Sequence, residues 1–280
     1  MHGLLAVSSL HYAHYNPALQ AEYRLISTHY HGLALLNFRE RLNNVNEENC
    51  EIYFLLASLI FTLSMTAVAN PPGPRGCLTP GEVAQSLQLL QGIKCMINYK
   101  SIEEWSAHGS LAPLFRPRPE GTTTMPIPTA SSSAAPVSLT PFEARLDKLC
   151  LLARQLPRSL DIINPQSACL IAIESLRNTY LECRATDLDQ TPAPSWNWPL
   201  TIPHIYIDMV SAGNPVALVI LAHYAAISWP FEHHDWASQG WGASLIGMIE
   251  AALEDEWQHW ITWPMQSLKA RIQVDSMGDD

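Results

Sequence analysis

The chain has 280 residues, of which 48% are apolar and only 15% charged, against a usual charged share of roughly 25%. That composition excludes an intrinsically disordered chain and a charged coiled coil. Sixteen basic residues stand against 26 acidic ones, a net charge of −10, and no Lys or Arg falls between Arg184 and Lys269. Phosphate backbones need clustered cations, so nucleic acid is not an expected partner.

The periodicity is helical nearly throughout, and the expected fold is all-α. One large domain of about ten helices should span residues 1–280, with a hydrophobic pocket in its C-terminal part. The first helix is expected from His2 to Tyr15, ending before Pro17. The second, from Pro17 to Leu42, places Leu25, His29, Leu33, Leu36 and Phe38 near one stripe. The third follows Asn46, Glu47 and Glu48, whose acidic groups suit the positive end of a helix dipole. Its stretch from Ile52 to Ala69 is 18 residues without a charge, the lower limit for a membrane span. No basic cluster flanks it, so the expectation is a central helix buried on all sides and no membrane span. The turn beginning Asn70-Pro71 ends it.

Thr79, Pro80 and Glu82 form a capping box that opens the fourth helix, expected to reach Tyr99. A short helix near Ser101 to His108 follows. Residues 116–140 are rich in Pro, Ser and Thr and read as a linker or loop. A second capping box, Thr140 to Glu143, opens the next helix. Further helices are expected at Pro165–Thr186, Ile202–Val210, Pro215–Ser228, Gly242–Glu254 and Glu256–Lys269.

The six cysteines contain no Cys-x-x-Cys pair. With no basic leader segment, they suggest a reducing intracellular setting, cytoplasmic, or nuclear for a regulator. No nucleophile elbow, phosphate loop or H-E-x-x-H motif occurs. Gly240-Trp241-Gly242 lacks a third glycine and a preceding strand, and carries no weight as a nucleotide motif. Glu256 and His259 form one E-x-x-H, where a di-iron bundle needs two. No metal and no cofactor is therefore expected.

The C-terminal third holds the chemistry. Eight of nine tryptophans lie between Trp196 and Trp263. Aromatics with a few polar groups are the composition of an apolar ligand pocket; a solid aromatic core is an equal alternative. The candidate lining is Trp229, Phe231, Trp236, Trp241 and Tyr224, with Phe54 from the third helix. The candidate proton-transfer groups are His223, His233, Asp235 and His204. For His223 a hydrogen-bonded core role is the plainer reading. For the run Glu232-His233-His234-Asp235 it is a solvated loop, because adjacent residues rarely converge on one ion. His11 and His14 are spaced to share a helix face. His29 or Tyr30 is a candidate to touch a pocket.

Several blocks resemble one family. Met1 to Ala13 (MHGLLAVSSLHYA) is similar to a recurring fungal helix. Ala34-Leu35-x-x-Phe38-Arg39-x-x-Leu42 with Asn46-x-x-Asn49 resembles the next block. The run from Asn214 to Ala225 (NPVALVILAHYA), with Trp198-Pro199, Trp236, Gly240-Trp241 and Trp263-Pro264, is the most specific. The set resembles the effector domain of fungal zinc binuclear-cluster transcription factors of the sterol uptake control type. The resemblance implies an all-α fold whose C-terminal helices enclose a hydrophobic pocket. Such regulators also carry a six-cysteine DNA-binding module, and no such cluster occurs here. The expectation is a stand-alone protein that binds a hydrophobic small molecule, with a homodimer left open. One reading is a cofactor-free enzyme of fungal specialised metabolism, catalysing cyclisation, dehydration or Diels–Alder-type cycloaddition of a terpenoid or polyketide. The alternative is a sterol- or lipid-sensing regulatory domain.

Overall fold

The structure is a computed structural model that describes residues 1–71, 78–107, 111–112, 141–157, 163–185 and 194–275, without the side chains of 102, 233, 234 and 270–275. Among the described residues every regular element is helical and there is no strand. The α-helices are α1 (His2–Tyr15), α2 (Gln20–Arg41), α3 (Cys50–Ala69), α4 (Pro80–Ile97), α5 (Ile102–Ala107), α6 (Pro141–Ala153), α7 (Pro165–Ala185), α8 (Asn197–Thr201), α9 (His204–Ser211), α10 (Pro215–Ser228), α11 (Trp241–Ala252) and α12 (Gln258–Asp275). The all-α expectation holds, and so do most of the predicted boundaries. Helix α8 is an addition, a short turn around Trp198-Pro199. The expected linker at 116–140 and the Thr140 cap lie outside the described residues.

The start signals work as the sequence suggests. Thr79 Oγ1 accepts from the Glu82 amide at 3.3 Å, and the Glu82 carboxylate accepts from the Thr79 amide at 2.9 Å. Ser101 and Glu104 make the same reciprocal pair before α5. Asn214 Oδ1 accepts from the amides of Val216 and Ala217, with Pro215 at the first helical position. Each cap supplies partners for amides that the first turn leaves without any.

Helix α10 is the hub. It packs against α6, α7, α9, α11 and α12. Every residue from Val216 to Ala225 is buried. The all-round burial expected of 52–69 therefore belongs to α10. Two stretches, Cys50–Ala69 and Pro215–Glu232, are long and apolar enough to cross a membrane by length and composition, but 78% of the second lies inside the fold against 39% of the first. Helix α3 packs on α1, α2, α4 and α11. Its C-terminal half is the more buried, at Ile60, Leu63, Met65, Thr66, Val68 and Ala69, while Ile52 and Leu55 at the other end are exposed.

The stripe expected on α2 is also corrected. Leu33 and Phe38 are half-buried, but Leu25, His29 and Leu36 are exposed, and the buried positions are Ser27 and Ala34. Small residues face inward here because α2 lies close against α1 and α3, and close approach excludes large side chains.

These placements predict an asymmetry along α3. Leu63 is 4% exposed and Ile52 is 69% exposed. Leu63→Ala should cost about 2–5 kcal/mol, and Ile52→Ser less than about 0.5 kcal/mol, read by urea unfolding. Equal losses would show that the outer half of α3 is covered in solution.

Candidate functional site

A groove of about 560 Å³ opens where the end of α10 meets α6, α7 and α12. Helix α6 contributes Phe142, and α7 contributes Tyr180, Cys183 and Arg184. Helix α10 adds Ala226 and Ile227, α12 adds Trp263 and Ser267, and the tight turn Trp229–His234 adds Trp229 and Phe231. Phe142 sits between two rings, 4.3 Å from Tyr180 and 5.2 Å from Trp263 between centroids. Among the described residues no Asp or Glu lines the groove, and Arg184 is the one charged residue that does.

His223 lies behind this wall. Its ring stacks on Trp263 at 5.6 Å and 25°. Its Nδ1–H donates to the Val219 carbonyl at 2.9 Å, since a carbonyl can only accept. Burial, aided by the nearby Arg145 charge, pulls His223 down to about 4. It is a neutral core histidine at physiological pH. Burial pushes the Cys183 thiol up to about 12, which removes it as a thiolate nucleophile.

The run Glu232 to Asp235 is not a uniformly solvated loop. Glu232 is 5% exposed. Its carboxyl group accepts from the amides of Gly242 at 2.8 Å and Gly240 at 3.2 Å. It caps the start of α11, whose first amides need acceptors. The glycines are required. A Cβ on Gly242 would stand 2.8 Å from Glu232 Oε1 and 3.2 Å from the Ala225 carbonyl. Gly240 holds φ at +87°, a left-handed conformation that side chains resist. The Gly240-Trp241-Gly242 pattern is thus a turn whose glycine amides are occupied by the chain's own Glu232 side chain. Ser244, one turn on, donates to the last carbonyl of α3, Ala69, at 2.8 Å.

Other candidates fall elsewhere. Tyr224 and Trp241 belong to a closed aromatic core. Trp198 stacks on Tyr224 at 4.3 Å and donates Nε1–H to the Ala172 carbonyl, and Trp241 meets Tyr224 edge-on at 5.7 Å. Phe54 packs on Trp105. Trp236 packs against His11 and His14 of α1; that spacing does place both histidines on one face. His29 is exposed, and Tyr30 stacks on His2. His204 is exposed and pairs with Asp208 one turn along α9 at 3.1 Å. Asp235 is exposed and accepts from the Ala237 amide in a local turn. The side chain of His233 lies outside the description. His223, His204 and Asp235 do not converge. Trp229 and Phe231 are the predicted lining residues that share a groove. Phe142, Tyr180 and Arg184 went unread, although Trp263 stood in a quoted motif.

A second groove of about 520 Å³ runs between α2, α3 and α4, lined by Phe38, Ala57, Ile60, Leu89 and Met96 among others, with no charged residue. A groove of similar size therefore lies among the N-terminal helices as well. Among the described residues no three His, Cys, Asp or Glu side chains gather to hold a metal.

No protein-family model matches this chain, and no curated protein or solved structure matches it.

The two buried groups predict opposite pH dependences. Burial outweighs the amide bonds and raises Glu232 from 4.5 to about 8. The native protein then binds that proton more tightly than the unfolded chain, so stability falls as pH rises between those values. His223 is depressed from 6.5 to about 4, so its contribution is lost as pH falls through that window. Unfolding free energies from urea titrations should decline by about a few kcal/mol or less from pH 6.5 to 8, and Glu232→Gln should flatten that decline. A rise across the same window would mean that the amides set the carboxyl.

Proposed function

We propose that this chain binds a hydrophobic small molecule in the C-terminal groove. The observation that carries the reading is the wall: Phe142, Tyr180, Trp229, Phe231 and Trp263 border a space of about 560 Å³. Ligand sites are usually apolar concavities of roughly 300–1,000 Å³ with few polar groups. The size suits a sterol, a terpenoid or a mid-sized polyketide. The resemblance to effector domains of the sterol uptake control type supports the same reading. An intracellular setting is proposed with it, and the five described cysteines, all free, support that.

Geometry favours binding over proton transfer. His204 and Asp235 stand in solvent away from the groove, and His223 is sealed behind Trp263. Ligand sensing needs only differential affinity for two conformations, and this groove can supply it. Cofactor-free cyclisation or cycloaddition is the second reading, and the aromatic wall supports it too. Ring faces favour developing positive charge, and holding reacting ends together can itself lower a barrier by several kcal/mol.

Ala226 lines the groove and is half-exposed, so Ala226→Trp should fill the space without disturbing the core. Wild-type protein should retain a lipid or sterol through native mass spectrometry, and the variant should not. Trp229→Ala should weaken binding of a fluorescent sterol by about tenfold, from lost aromatic burial. Retention unchanged by Ala226→Trp would place the ligand elsewhere. Incubation with polyene or polyketide intermediates separates the two readings: product formed at the buffer rate removes the enzyme.

A further inference from the structure

The groove has a polarity that its aromatic wall alone does not explain. Tyr180, Phe142 and Trp263 form a continuous row of rings. A guanidinium lies over each end of the row: Arg184 is 5.8 Å from the Tyr180 centroid, and Arg145 is 5.1 Å from the Trp263 centroid. The pairing is unexpected in a chain of net charge −10. Carboxylates satisfy Lys100, through Glu51, and Arg177, through Asp147 and Glu174. Neither Arg145 nor Arg184 has an ion-pair partner among the described residues, and the buried Nε of Arg145 has no hydrogen-bond partner there. Among the described residues no acidic side chain lines the space to repel an anion. Arg184 is also the last cation before the stretch, up to Lys269, that holds none.

Resting on the reading of this groove as the ligand site, we propose that its ligand is an apolar carboxylic acid, with the carboxylate held by Arg184 and the hydrocarbon body against the Phe142, Trp229 and Phe231 rings. Arg184 is exposed at the groove's edge beside the Tyr180 ring, and a guanidinium fork is the group that a carboxylate matches with two parallel hydrogen bonds. One lining cation balances one negative charge. A phosphate, with nearly two charges at neutral pH, would call for a second lining cation or a cradle of backbone amides. The glycine amides nearby, at Gly240 and Gly242, are already occupied by Glu232. Arg145 adds positive potential from beside Trp263 and leaves the apolar body free of polar contacts.

The test compares cis-parinaric acid with its methyl ester, both below their micelle concentrations, by fluorescence titration of the full chain at pH 7.5. The acid should bind about tenfold or more tightly than the ester, the difference expected for one charge-assisted contact. Arg184→Met should bring the acid down to the affinity of the ester and leave the ester unchanged. Arg184→Lys should restore part of the difference. If wild-type protein binds acid and ester equally and Ala226→Trp abolishes both, the carboxylate inference is overturned and the groove reading stands. If Arg184→Met loses acid and ester alike, Arg184 holds the wall rather than the charge, and the inference is overturned. If neither probe binds wild-type protein, both readings fall together.

Discussion

Helix α10 has no exposed face along Val216 to Ala225, and the rest of the molecule follows from that constraint. A helix sealed on all sides must find partners for each polar group inside the fold. Asn214 satisfies its first amides. The Tyr206 hydroxyl donates to the Ala217 carbonyl at 2.9 Å, and Ser228 Oγ donates to the Ala225 carbonyl. His223 turns its Nδ1–H back onto its own helix. With these bonds made, apolar faces of five surrounding helices close on α10, and the buried Tyr224 hydroxyl is left without a hydrogen-bond partner among the described residues. The aromatic residues of the C-terminal third supply much of that closure, which is why Trp198, Tyr224 and Trp241 are core rather than lining.

Where α10 ends, the packing can no longer be symmetrical. The chain turns at Trp229–His234, and Glu232 is drawn into the amides that open α11. One carboxyl group thus joins the end of the hub to the start of the next helix. Ser244 then ties α11 to the last carbonyl of α3. The turn is held at both ends, and Trp229 and Phe231 project from it into the groove. The groove is therefore a consequence of how the core helix terminates. A ligand there would touch residues at the end of the buried hub helix.

Charge follows the same division. The interior holds one buried carboxyl group, Glu232, which accepts from two amides at the start of α11 and which burial keeps mainly protonated near neutral pH. It tolerates one buried histidine because that ring stays neutral. The cations stay at the edges, and Arg145 and Arg184 lie against aromatic faces rather than carboxylates.

The fold class was readable in the sequence by itself, because helix periodicity and caps are local. Thr79 with Glu82 and Asn214 with Pro215 mark their helices within four residues, and no distant partner is needed to interpret them. Membership of the core was less legible. Residues 52–69 and 215–228 are similarly apolar, but only the second is enclosed by five helices, and enclosure depends on neighbours far along the chain. The stripe on α2 failed for a related reason: close helix contact selects Ser27 and Ala34, where a hydrophobicity count selects leucines. Of the candidate site, Trp229 and Phe231 were legible as aromatics beside a helix end. Phe142, Tyr180, Arg184 and Trp263 come from three different helices and meet only when α6, α7 and α12 pack on α10. Composition determined that this chain would bury a helical, aromatic, cation-poor core. Tertiary structure alone decided which aromatics fill the core and which are left facing an open groove, because that choice depends on long-range packing that no local pattern encodes.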